Sequence, residues 1–98
     1  MQSLPLYNTA TVVAATPAKV GATGLRRLMR VVLFGGSADS QVEFKNAATD
    51  TGDVLLSVNA LLDTTMDVDL TSVGGLVFDT AMFCKPAGTG AIAYVWYE

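Results

Sequence analysis

Positions 41–45, QVEFK, alternate strictly, with Val42 and Phe44 on one side and Gln41, Glu43 and Lys45 on the other. A period of two is the signature of a half-buried antiparallel strand, whose successive side chains point to opposite faces. TMDVDL, 65–70, repeats it, and predicts Met66, Val68 and Leu70 inward with Asp67 and Asp69 outward. Between the two, NAATDTGDVLLSV carries turn residues through Gly52 into a strand whose Val54, Leu56 and Val58 share a side, and NALLDTT reads as a loop or short turn. The stretch GAIAYVWYE alternates small and large residues: Ile92, Tyr94 and Trp96 fall on one side, Ala91, Ala93, Val95 and Tyr97 on the other.

TVVAA, LMRVVLF and two short runs in GGLVFDTAMFCKP bring the count to about seven or eight strands. Gly, Thr, Ser, Asp and Asn interrupt the chain too often for typical helices, so the expected fold is all-β, a β-sandwich or jelly-roll of antiparallel strands. The 98 residues suit a single domain over 1–98, with 1–22 as a candidate extended N-terminal arm. Pro17 and Pro86 are expected in connections, and the paired glycines of FGGSAD and VGGL at turns or bulges. Neither glycine pair has the spacing of a phosphate-binding fingerprint.

GLRRLMRVVLFGG, 24–36, holds Arg26, Arg27 and Arg30, half of the six basic residues. On a helix, Leu25, Leu28, Met29 and Val32 would form one apolar stripe opposite the arginines. The β-branched pair Val31 and Val32, the following Phe34, Gly35 and Gly36, and Gly24 where a helix would want Ser, Thr or Asp all favour a strand. As a strand its even positions carry Arg26, Leu28, Arg30, Val32 and Phe34, which predicts an exposed, charged start and a core-facing second half. The arginines are then either a solvated strand end or a docking patch for an acidic protein surface, a role that suits the planar guanidinium.

Composition limits the functions available. With 51% hydrophobic and 15% charged residues and a mean hydropathy of +0.43, the chain carries more apolar surface than a small monomer usually hides, and this points to an oligomer or assembly. A net charge of -3 and a pI near 4.6 argue against nucleic acid as a partner, since phosphate binding relies on clustered positive charge. The N-terminal residues show neither the basic nor the apolar region of a signal peptide, and no run of about 18 apolar residues occurs, so no membrane partner is expected.

The chain has no histidine, which removes the commonest general base and the commonest zinc ligand. Cys84 is the only cysteine; it forms no intrachain disulfide, and between Met82 and Phe83 on one side and Lys85 on the other it reads as ordinary packing. Asp63, Asp67 and Asp69 are close enough in sequence to suggest a calcium site but lack the twelve-residue loop with its glycine and terminal glutamate, so they read as a solvated face. No cofactor, metal, catalytic residue or small-molecule substrate is expected. Tyr94, Trp96 and Tyr97 are candidates for a partner interface, with a sugar-binding platform as the competing use.

SLPLYNTATVVAATPAKV, RVVLFGGSADSQVEFKNAATDTGDVLLSV and AIAYVWYE together resemble the small β-rich virion proteins of tailed bacteriophages. The likeness lies in a short LPLYN-like start, a strand followed by a small-residue turn, a hairpin of the type V-x-F-K-N-A-A-T-x-x-G and a final aromatic strand. It implies a non-enzymatic capsid cement or decoration protein of the virion, assembled in the host cytoplasm, that sits as a homotrimer over junctions of the major capsid protein. Arg26, Arg27, Arg30, Tyr94, Trp96 and Tyr97 are the residues expected at its partner interfaces. Tail, neck, adaptor and head-fibre proteins share the style and form the alternative, followed by a carbohydrate-binding β-sandwich.

Overall fold

The computed structural model describes residues 7–98 as nine strands and one turn of 3-10 helix. The strands are β1 (Asn8–Val13), β2 (Ala18–Val20), β3 (Arg26–Phe34), β4 (Ser40–Asn46), β5 (Val54–Ala60), β6 (Thr65–Asp69), β7 (Leu76–Phe78), β8 (Met82–Ala87) and β9 (Ile92–Tyr97). They form two antiparallel sheets. Sheet A has the order β1-β9-β3-β6, with β7 beside the start of β3, and sheet B has the order β2-β8-β4-β5.

Without β7, the chain is a single antiparallel ribbon folded back at the β4–β5 turn: β4 pairs with β5, β3 with β6, β2 with β8 and β1 with β9. Rolling that nested ribbon places alternate pairs in opposite layers, which is the jelly-roll arrangement. The expected sandwich or jelly-roll is therefore present, with nine strands instead of seven or eight. The uncounted strand is β2, only three residues long and directly after Pro17. Of the arm expected over 1–22, residues 1–6 lie outside the described residues, and from Asn8 onward the chain is paired within the sandwich.

Alternation drives the packing. Val42 and Phe44 of β4, Val58 and Ala60 of β5, Cys84 and Pro86 of β8, and Ala93 and Val95 of β9 all point between the sheets and are buried, as are Leu28, Val31 and Leu33 of β3. Phe44 and Phe78 meet edge to face, ring centroids 6.5 Å apart. Pro86 belongs to β8 opposite Val42, not to a connection as expected. Its missing N–H is tolerated because β2 pairs only with Met82 to Cys84, so among the described residues β8 has no strand neighbour on that side at Pro86.

β3 departs from simple alternation. The pairing with β9 jumps from Leu28↔Tyr97 to Arg30↔Trp96, which leaves Met29 as an extra residue, a β-bulge. The bulge reverses the sides: beyond it the buried positions are Val31 and Leu33, and Arg30, Val32 and Phe34 stand on the outer face. The even-position core expected for the second half of this strand is thus corrected by one inserted residue. Met29 itself is buried, its sulfur against Gly75.

Candidate functional site

The outer face of sheet A is built in register from four strands. Val13, Ile92, Phe34 and Thr65 form one row, Thr11, Tyr94, Val32 and Asp67 the next, and Thr9, Trp96, Arg30 and Asp69 the third. The first row has no charge, and in the other two the charges are confined to the β3 and β6 ends. Tyr94, near the centre, is 40% exposed. Neighbouring side chains on such a face lie about 5 Å apart across strands, close enough to act as one surface.

The outer face of sheet B is chemically different. It presents Gln41, Glu43 and Lys45 of β4, Lys85 of β8 and Ser57 and Asn59 of β5, with Phe83 of β8 and the exposed Val54 and Leu55 of β5 toward one end. Lys45 and Lys85 both donate to the Asp50 carboxylate, and Gln41 donates to Ser57 Oγ at 2.7 Å. The two ammonium groups hold the Asp50 carboxyl below the usual carboxylate range. These pairs occupy the middle of the face. Sheet A's outer face instead brings Tyr94, Trp96, Phe34, Val32, Ile92 and Val13 into adjoining rows.

Arg30 organises the polar corner of the apolar face. Its guanidinium donates twice to Asp67, Nε to Oδ1 at 3.0 Å and Nη2 to Oδ2 at 2.5 Å, and lies 5.1 Å from the centre of the Trp96 ring. One planar fork thus ties β3, β6 and β9 together across the sheet surface. The paired guanidinium holds the Asp67 carboxyl below the usual carboxylate range, and bonds from the Thr71 hydroxyl and amide do the same for Asp69.

A group whose folded value is depressed adds stability that is complete above its unfolded value and is lost as pH falls through the folded one. Urea midpoints of the wild type are therefore expected to fall as pH drops below about 4, where unfolded carboxylates begin to protonate. Asp67→Asn removes one contributor, so its midpoint should fall less steeply over that window; an unchanged slope would show that the Arg30 pair makes no difference.

The three expected arginines do not act as one patch. Arg30 is on the outer face; Arg26, before the bulge, shares its side with Leu28, donates to the Ala22 carbonyl at 2.9 Å and lies near the Tyr97 ring at Gly21. Arg27 is exposed at the end of the strand, where its backbone pairs with Val77 of β7 and with Glu98. The aromatic set divides too: Tyr94 and Trp96 face outward, whereas Tyr97 packs against the core. With Tyr97 on the other side of the sheet and Arg30 over Trp96, the three rings form no continuous sugar platform.

Asp63, Asp67 and Asp69 are not gathered around a common point either. Asp63 sits in the β5–β6 turn with φ 55, Asp67 is taken by Arg30, and Asp69 accepts from Thr71. Among the described residues no group of three or more Asp, Glu, Cys or His has metal-ligand geometry. Cys84 is buried, and desolvation pushes its thiol up to about 12, which makes it a packing residue.

Two features of this face escape sequence reading. The outward placement of Val32 and Phe34 depends on the bulge, for which Met29 carries no local signal. The second is the exposure of two leucines in the β5–β6 turn, a segment expected as a loop: Leu61 and Leu62, 67% and 53% exposed, stand in solvent at the edge of the sandwich beside a groove of about 630 Å³. No family, curated protein or solved structure matches the chain in comparisons of its sequence and fold.

Proposed function

We propose that this chain is a non-enzymatic structural protein of a phage virion, a capsid cement or decoration protein that binds the major capsid protein shell as a homotrimer. The observation that carries this reading is the contrast between its two outer faces. One carries the Lys45–Asp50–Lys85 charge pairs, with Val54 and Leu55 exposed toward one end, and the other displays Val13, Ile92, Phe34, Tyr94, Val32 and Trp96 in adjoining rows with Arg30 locked at one corner. An apolar centre with aromatic anchors and a polar rim is the anatomy of a protein interface. The jelly-roll winding, a scaffold used by viral capsid domains, adds support by analogy alone.

In this reading the Tyr94 row and the Trp96 row dock on the shell, with Arg30 at their polar end. Arg26 and Arg27, at the start of β3, serve neighbouring contacts, and Tyr97 of β9 packs behind them against the core. The test is co-sedimentation with emptied shells. Tyr94→Glu places a charge in the middle of the apolar rows at an exposed site, so shell occupancy should drop at least about tenfold, the loss of one central anchor. Gln41→Glu, on the outer face of sheet B, should leave occupancy unchanged. Equal occupancy for the wild type and Tyr94→Glu would overturn the docking face.

The number of copies per virion separates location. A ratio near one to one with the major capsid protein fits a cement protein, and a handful of copies fits the alternative tail or neck component.

A further inference from the structure

The two flanks of the sandwich differ in shape and in charge. On one side β1 and β2 lie at the margins of their sheets, and on the other β6 and β5 do. The β1–β2 flank, residues 7–23, carries Lys19 and no acidic residue; the β5–β6 flank, residues 59–70, carries no basic residue and leaves Asp63 and Asp69 as acidic charge, Asp67 being paired with Arg30 of β3.

The shapes are complementary as well. On the β5–β6 flank the turn 61–64 is a rigid apolar knob. Gly35 N donates to the Thr64 carbonyl at 2.8 Å, Asp63 N to the Gly36 carbonyl at 2.8 Å, and Leu62 N to Asp39 Oδ1 at 3.0 Å. These bonds fix the backbone while both leucine side chains project outward. On the opposite flank a cleft of about 230 Å³ opens between Val13–Ala15 and Gly90–Ile92, lined by small apolar residues.

Register places the two at one level. Val13 and Thr65 occupy the same cross-strand row of sheet A; Ala14 and Ala15 follow Val13 beyond the end of that row, and Leu61 and Leu62 precede Thr65 beyond it. Knob and cleft lie on opposite margins of a four-stranded sheet, about 14 Å across at 4.8 Å per strand spacing, so they do not meet within one chain. β1 and β6 run antiparallel to each other through the sheet order. A second copy turned about an axis along the strands brings β6 beside β1 in the direction in which an antiparallel ladder forms. β1, NTATVV, bears neither charge nor proline to block such an approach.

We propose that copies of this chain join head to tail, the Leu61–Leu62 knob and acidic β5–β6 flank of one copy docking on the Val13–Ala15 cleft and Lys19 flank of the next. The inference rests on the reading of the chain as an assembling protein and assigns the surfaces by which it meets itself. The contact is heterologous, so it closes into a ring where the rotation per copy allows it, three copies in the homotrimer.

Mixing two half-blocked variants tests this. Leu62→Glu spoils the knob and Ala15→Arg fills the cleft, both at exposed positions. By analytical ultracentrifugation each variant alone should be monomeric where the wild type is oligomeric, with the association constant down at least about tenfold. An equimolar mixture should stop at a one-to-one dimer, because one intact knob then meets one intact cleft. Lys19→Glu is the fallback should either variant fail to give a wild-type circular dichroism spectrum, and it should weaken association.

A wild type that stays monomeric at about 100 μM, a variant that keeps the wild-type oligomer, or a mixture that stays monomeric overturns the proposal. Shell co-sedimentation is scored separately. A monomer that still binds shells removes the head-to-tail contact and leaves the cement reading standing, and an oligomer that ignores shells does the reverse.

Discussion

Phe44→Ala is expected to bring the protein close to unfolding. Phe44 is fully buried, lies opposite Leu56 of β5 and Cys84 of β8, and meets Phe78 edge to face, so it joins three strands of sheet B to β7 of sheet A. Removing a buried phenylalanine costs about 3–5 kcal/mol, transfer free energy plus the cavity left behind, out of a total of about 5–15 kcal/mol for a domain of this size. The melting midpoint should fall by about 12 °C or more at 4 °C or more per kcal/mol. Phe44→Leu, which keeps most of the volume, should recover much of the loss. A midpoint within about 2 °C of wild type for Phe44→Ala would show that this ring is not a keystone of the core.

Gly35→Ala has the second largest expected effect, by a different mechanism. A methyl group at Gly35 would overlap the Leu61 carbonyl oxygen and approach the Thr64 carbonyl at 3.3 Å. Both obstacles are backbone atoms of the pinned 61–64 turn, so neither can rotate away as a side chain would. Overpacking of this sort costs about 1–3 kcal/mol, and relief requires the turn to lift off β3. Gly74→Ala provides the contrast. Gly74 has φ +82 but open space around it, so its loss reflects backbone conformation alone, about 1 kcal/mol. Urea denaturation gives the ranking, and hydrogen exchange at the Asp63 and Thr64 amides should accelerate in Gly35→Ala only. Equal exchange in both variants would mean that the turn is not held through Gly35.

Period-two alternation was a sufficient guide wherever a strand is regular. QVEFK and AIAYVWY fall as their patterns predict, because each pairs on both sides in unbroken register over most of its length. The strand nature of 26–34 was also legible, from Val31, Val32 and Phe34. What alternation does not reveal is an inserted residue. Met29 has the same apolar character as its neighbours, so only the partner strand shows that the count slips there and that Val32 and Phe34 become surface. The same holds at Phe44/Lys45, where a register shift leaves Val54 exposed beside Lys45 instead of sharing the side of Leu56 and Val58.

Alternation predicts Met66 inward, yet it is 45% exposed, although Val68 and Leu70 in the same alternation are partly covered. β6 is at the margin of sheet A, and the groove along β5 and β6 leaves Met66 without a partner from the opposite layer. Polarity alone says which side a residue prefers; it does not say whether the fold closes over that side. The candidate site divides along the same line. Tyr94 and Trp96 on a common face follow from spacing, but the Arg30–Asp67 fork over Trp96 joins residues distant in sequence and depends on the order of the strands.

The nested ribbon also sets the tempo at which the chain can become native. β9 lies between β1 and β3, and its pairing of Tyr97 with Asn8 closes nearly the whole chain into one loop. Until that strand arrives, β1 and β3 have no common neighbour, and the apolar inner faces of both remain open to water or to another chain. Topologies dominated by such distant pairings fold in milliseconds to seconds, not microseconds. Among the described residues the β4–β5 hairpin joins strands next to each other in sequence, whereas the β1–β9 pair closes the longest loop and carries the largest closure cost. The outer face of sheet A is therefore complete only once β9 is paired on both sides, so it exists in the native chain and in no form that lacks that strand.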